Sequence, residues 1–170
     1  MPGAVETALV AESCRASAMS WLRPDGTARP LLAWHVWHED ALYVVSGGHE
    51  QELPDMPAGT PVAVTVRSKD NGARLVTWTA TASPVEPGSP LWDAVVPVLH
   101  AKRLNPPDGE AQPARWARES TVTRLEPTGV LAESPGRMPR RSHAAPPPDS
   151  PATTRGALPF VIGRRARRRR

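Results

Sequence analysis

Two short stretches carry residue types suited to holding a charged ligand. The first is SGGHEQELP, Ser46 to Pro54, which follows the apolar run ALYVV. Paired glycines after a strand permit positive φ and close backbone approach to a ligand. The N–H groups of such a turn can also converge on an anion. The second is Arg67-Ser68-Lys69, two cations and a hydroxyl at the end of the alternating run VAVTVR. Arg67 and Lys69 share strand parity and fall on one face if the strand continues that far. Placed at one end of a sheet, the two stretches would form a phosphate site. Against this, Glu50, Glu52 and Asp55 stand in or beside the glycine turn and would repel a phosphate. One charge contact at a wet rim is worth about 1 kcal/mol at ~4 Å. Residue counting therefore leaves open both a cradle and a plain turn beside a solvated hairpin.

Other chemistry is sparse. The single Cys14 excludes an internal disulfide and any zinc site built on several cysteines, and its apolar surroundings read as a buried structural thiol. The five histidines show no metal-ligand spacing, since His35 and His38 point to opposite faces of a strand. There is no GxSxG and no P-loop. Trp34, Trp78 and Trp92 lie at core positions of their periodic runs. Trp37 has the parity opposite to Trp34, which directs one of the two outward or into an interface, and His35 shares the parity of Trp37 and reads as an interface histidine.

The elements that would position these residues are mostly strands. Ala16 to Leu22 runs into the turn signal Pro24-Asp25-Gly26. Leu31 to His38 (LLAWHVWH), Glu39-Asp40 and Leu42 to Ser46 then read as a hairpin. Val62 to Arg67 and Leu75 to Ala82 alternate with period two on either side of Asn71-Gly72, a strong hairpin signal. One helix follows: Ser89 as cap, Pro90 at its first position, then Leu91, Trp92, Val95, Val96 and Leu99 on one face. Pro97 inside it should kink it, Lys102 and Arg103 suit its end, and Asn105-Pro106-Pro107 stops it. After a short turn around Trp116, Ser120 to Glu126 supplies a sixth strand. The expected fold is mainly β, a six-stranded antiparallel barrel with one or two helices, ending near Thr128.

Charge divides the 170-residue chain. Residues up to Ala132 carry a net charge of −4, and those from Glu133 onward carry +8. The latter segment, 133–170, is rich in proline and arginine, buries too little to offset its ordering entropy, and is expected to be disordered. Its Arg164 to Arg170 cluster makes nucleic acid a partner through that tail alone. No apolar run approaches the roughly 20 residues that span a membrane. The start MPGAVETALVAES lacks the basic and apolar pattern of a secretory leader, so a soluble, cytoplasmic protein is expected.

The order WLRPDGTARPLLAWHVWHEDALYVVSGG, then VAVTVRSKDNGARLVTWTATASPV, then a helix and PARWARESTVTRLEPTG resembles the pyridoxamine 5′-phosphate oxidase-like split β-barrel family, in an actinobacterial subgroup. The resemblance covers Val5 to Gly129, taken as residues 5–129 of one domain. It implies a split barrel, a homodimer, and a cofactor in clefts between protomers: FMN or the deazaflavin F420, with haem behind them. By the same resemblance Arg67, Ser68 and Lys69 would hold the cofactor phosphate, and Val45, Ser46 and Gly47 would lie against its ring or ribityl chain. Trp116 and Arg118 would reach across from the partner subunit. The function implied is an oxidoreductase acting on an unidentified small molecule, with the cofactor carrying the hydride chemistry and no catalytic side chain singled out. Two alternatives stand beside it: a dimeric barrel without cofactor that serves as a binding or scaffold module, favoured by the acidic GGHEQELPDMPAG segment, and a nucleic-acid-associated protein acting through its basic tail.

Overall fold

The computed structural model describes residues 4–139, so the expected tail from Arg140 onward, with its arginine cluster, lies outside the described residues. The chain opens with a helix that the sequence reading lacked, α1 (Ala4–Ala16). Its inward positions, Val10, Ser13 and Cys14, follow helical spacing, but serine and cysteine disguise the stripe.

Seven strands follow, not six: β1 (Met19–Pro24), β2 (Leu31–Trp34), β3 (Val36–His38), β4 (Ala41–Ser46), β5 (Pro61–Arg67), β6 (Arg74–Pro84) and β7 (Thr121–Glu133). They form one antiparallel sheet in the order β2-β1-β5-β6-β7-β4-β3. The extra strand arises because LLAWHVWH divides at His35. Leu31–Trp34 pairs with β1, whereas Val36–His38 pairs with β4 across the Glu39-Asp40 turn. Both turn residues take positive φ, 43° and 60°, the conformation of tight two-residue hairpins. The two edge strands of the sheet are thus consecutive pieces of one run, and the sheet curls until its edges join through the chain at His35.

At the break, the His35 N–H donates to the Ala18 carbonyl at 2.9 Å. Across the break Trp34 and Trp37 still lie against opposite faces of the sheet. Trp37 packs inward, edge-on to Trp78 at 6.2 Å, and Trp34 is half-buried on the helical side. His35 is buried rather than at an interface.

β5 and β6 show why alternation was legible: Val62, Val64 and Val66 are buried, as are Val76, Trp78, Ala80 and Ala82, while their neighbours face outward. These side chains fill the inside of the curl with Leu22, Leu42, Val44, Leu125 and α1's Val10 and Cys14. β7 continues to Glu133, past the expected end. A bulge opposite Trp78 and Ala80, with Gly129 at φ 84°, absorbs the Pro127-Thr128-Gly129 sequence that reads as a terminator.

The outer face of β4 is covered by α2 (Pro90–Lys102) and α3 (Gln112–Glu119), which follows a 3-10 turn at Gly109–Ala111. Ser89 caps α2, its Oγ accepting the Trp92 N–H at 3.1 Å, and the helix runs on through Pro97. Trp92, Val95, Val96, Leu99 and Trp116 pack here against Ala41, Tyr43 and Val45. β4 is therefore buried on both faces.

Candidate functional site

The hairpin after β5 gathers the expected cations. Ser68 N–H donates to the Ala73 carbonyl at 2.7 Å and Gly72 N–H to the Ser68 carbonyl at 3.0 Å, which closes the loop. The Ser68 hydroxyl accepts the Asp70 N–H at 3.2 Å, so it is partly engaged in the turn. Arg67 is half-buried and its guanidinium folds over Gly72, where an added Cβ would lie 3.4 Å from Nη2. Lys69 is exposed. Neither cation forms an ion pair among the described residues. Arg67 stands opposite Arg74 across the hairpin, but Arg74 is held by Glu133 at 2.9 Å. Glu133 in turn accepts the Thr77 hydroxyl at 2.8 Å, next to Thr65. Arg67 and Lys69 thus stand without an ion pair on this corner, and with Asp70 in the same turn it keeps one net positive charge.

The glycine turn after β4 is built for another purpose. Gly47, Gly48 and His49 take successive positive φ values of 74°, 56° and 67°. Gly47 N–H donates to the Gln51 carbonyl and Glu50 N–H to the Gly47 carbonyl, so these two donors are turned into the loop. The Ser120 hydroxyl donates to the Gly47 carbonyl at 3.1 Å. A Cβ on Gly48 would lie 2.6 Å from the Glu119 carbonyl oxygen, so the loop lies flat against the junction of α3 and β7. The turn points Glu50 and Gln51 inward. Gln51 Oε1 accepts the Trp34 N–H at 2.8 Å, and its amide donates to the Trp34 carbonyl at 3.0 Å.

Glu50, expected to repel a phosphate from a wet rim, has a fully buried side chain instead. Its Oε2 accepts from Arg103 Nε at 2.9 Å. Its Oε1 accepts from Gln112 Nε2 at 2.8 Å, Trp116 Nε1 at 3.1 Å and Arg115 Nη2 at 3.3 Å. Arg115 Nε also bonds Asp108, and Arg103 lies over the Trp34 ring at 5.9 Å. The charge of Glu50 is consumed inside the chain and does not oppose a ligand at Arg67.

The remaining expected residues divide accordingly. Val45 is fully buried beneath the helices, and Ser46 is half-buried, paired with Thr121 and bridged to Gln51. Trp116 is fully buried in its own subunit with its indole N–H on Glu50, a placement opposite to reaching a partner. Arg118 is exposed and donates to the Ala114 carbonyl at 2.9 Å. Val45, Ser46, Gly47 and Trp116 therefore belong to one neighbourhood, and Arg67, Ser68 and Lys69 to another. Rungs of the ladder connect them: Arg67 is one rung past Ser20↔Val66, Met19 pairs with Trp34, and Trp34 is held by Gln51. Three strand spacings amount to about 14 Å along the curled sheet.

Arg103, Gln112 and Arg115 do not stand out as a group in the sequence. Gln112, Arg115 and Trp116 sit at i, i+3 and i+4, one face of a helix, and a buried polar face of that kind calls for an acidic partner. His35 is the one strongly perturbed base among the described residues: its Nε2–H donates to the Cys14 carbonyl at 3.2 Å, and burial lowers its pKa to about 4. Burial likewise pushes the Cys14 thiol up to about 12, which makes it a poor nucleophile.

No protein-family model and no curated protein matches the sequence. Solved structures do match. HutZ, the haem storage protein of Vibrio cholerae, aligns with a TM-score of 0.54 and 20% identity over 72% of this chain and 89% of its own. A general stress protein 26 from Jannaschia sp. CCS1 aligns with a TM-score of 0.50 and 12% identity over 73% and 74%. The general stress FMN/FAD-binding protein of Xanthomonas citri aligns at 0.48 and 12% over 74% and 87%. The fold is that of the pyridoxamine 5′-phosphate oxidase-like split barrels. No helix among the described residues is long and apolar enough to cross a membrane.

Proposed function

We propose that this chain is a cofactor-binding split barrel of the flavin or haem class, acting as an oxidoreductase on a small molecule. The observation that carries this reading is the corner formed by Arg67 and Lys69, two cations without an ion pair among the described residues on a fold whose solved examples include a haem storage protein. The residues fit the anionic end of such a cofactor at this hairpin, where Arg67 and Lys69 would hold a phosphate or propionate and Ser68 offers a hydroxyl. They do not fit it at the Gly47–Gln51 turn, whose Gly47 and Glu50 N–H groups and Glu50 carboxylate face inward. A flavin or F420, when bound, supplies hydride transfer, and this chain contributes binding and orientation. On this reading the active form is a homodimer in the cytoplasm, with Arg118 on the exposed side of α3 available to a partner.

The test is a titration of the purified protein with FMN, F420 and haem, followed by absorbance and fluorescence, beside an Arg67→Ala/Lys69→Ala variant. Micromolar binding to one cofactor, weakened at least tenfold in the variant, is the expected result. Failure of all three to bind at micromolar levels sinks the reading. Sedimentation of the same samples reports the dimer.

A further inference from the structure

The environment of Glu50 is that of a bound ligand rather than a surface ion pair. Two guanidinium groups, a carboxamide and an indole N–H, all on or just after α2 and α3, converge on one carboxylate that arrives from a distant loop. These donors are mostly fixed by their own elements. Trp116 and Gln112 are fully buried, and Arg115 is also tied to Asp108. Arg115 Nη1 is buried with no hydrogen-bond partner, so the set has more donor capacity than Glu50 uses. The loop, by contrast, adopts three successive left-handed residues, one of them the non-glycine His49, in order to deliver the carboxylate. Three of the four donors come from α3 itself, and the carboxylate is brought to them by the loop.

We propose that these four donors are a binding site for a small monocarboxylate, filled in this structure by the chain's own Glu50. Asp108 offsets one of the two arginine charges and Glu50 the other, so an emptied site carries one net positive charge. Its chemistry suits a planar, bidentate oxyanion of carboxylate size, approached from the side where Arg103 is partly exposed. The inference is independent of the proposed cofactor site at Arg67.

Chemical rescue tests it. Glu50→Ala deletes a CH2–COO⁻ fragment, which acetate restores almost atom for atom. The thermal transition of full-length Glu50→Ala is expected to rise saturably with acetate relative to chloride at equal ionic strength, by about 4 °C at ten times the dissociation constant. The native chain is expected to show no such difference, because its tethered carboxylate outcompetes free acetate. An absent acetate-specific rise in Glu50→Ala overturns the proposal, as does an equal rise in the native chain. If Glu50→Ala does not fold in chloride, refolding from urea is compared in the two salts: native circular dichroism recovered only in acetate supports the receptor, and recovery in neither overturns it.

Discussion

The side-chain amide of Gln51 grips the backbone of Trp34 from both sides, taking its N–H at 2.8 Å and giving an N–H to its carbonyl at 3.0 Å. Trp34 is the last residue of β2, where the chain leaves one edge of the sheet for the other. Its outward backbone groups have no strand to pair with, and Gln51 takes the place of that strand. The glycine turn, the β2–β3 break and the Glu50 cluster are thereby one mechanical unit.

Gln51→Ala should therefore destabilise the fold by about 2 kcal/mol, since it leaves two half-buried backbone groups unsatisfied. In a chain of this length that lowers the thermal midpoint by about 4–8 °C. Gln51→Glu keeps the acceptor for the Trp34 N–H but sets a carboxylate against the Trp34 carbonyl, and should be at least as damaging. A midpoint unchanged in both variants would show that Trp34 needs no such partner.

His35 makes stability depend on pH. Its folded pKa near 4 lies below the ordinary value of 6.5, so between those pH values the unfolded chain binds a proton that the folded chain does not. Stability is therefore lost as pH falls from about 6.5 toward 4, by up to about 3 kcal/mol from this residue. The cause is burial, which the hydrogen bond from Nε2–H to the Cys14 carbonyl opposes only in part. Urea midpoints from pH 7 to 4 should fall more steeply for the native chain than for His35→Gln, which cannot charge. Parallel slopes would place the acid sensitivity elsewhere.

Legibility in the sequence followed the range of the interactions. β5 and β6 were readable because burial of one face imposes period two within a few residues, and the Ser89 cap because its bond spans only three. The division of LLAWHVWH was not readable: both halves are apolar, and which partner each half takes is decided by strands distant in sequence. Glu50 was misread for the same reason. An acid in a glycine turn reads as solvated unless Arg103 and Arg115, 53 and 65 residues away, are known to converge on it. The hairpin of β5 and β6 was legible because a hairpin and its turn are local features.

Gly48 and Gly26 separate the two uses of glycine in this fold. Both have positive φ, 56° and 77°, so alanine at either position meets backbone strain of about 1–2 kcal/mol. At Gly26 an added Cβ meets nothing within 4 Å, and strain is the whole effect. At Gly48 the same methyl lies 2.6 Å from the Glu119 carbonyl oxygen and 2.7 Å from the Ser120 hydroxyl, closer than real Cβ contacts allow. Relief requires the turn to lift from the α3–β7 junction, which would pull Glu50 and Gln51 from their partners. Gly48→Ala should accordingly lose at least 2 kcal/mol more than Gly26→Ala in chemical denaturation. Equal losses in the two variants would mean that the turn is not clamped to the junction and that φ alone explains both glycines.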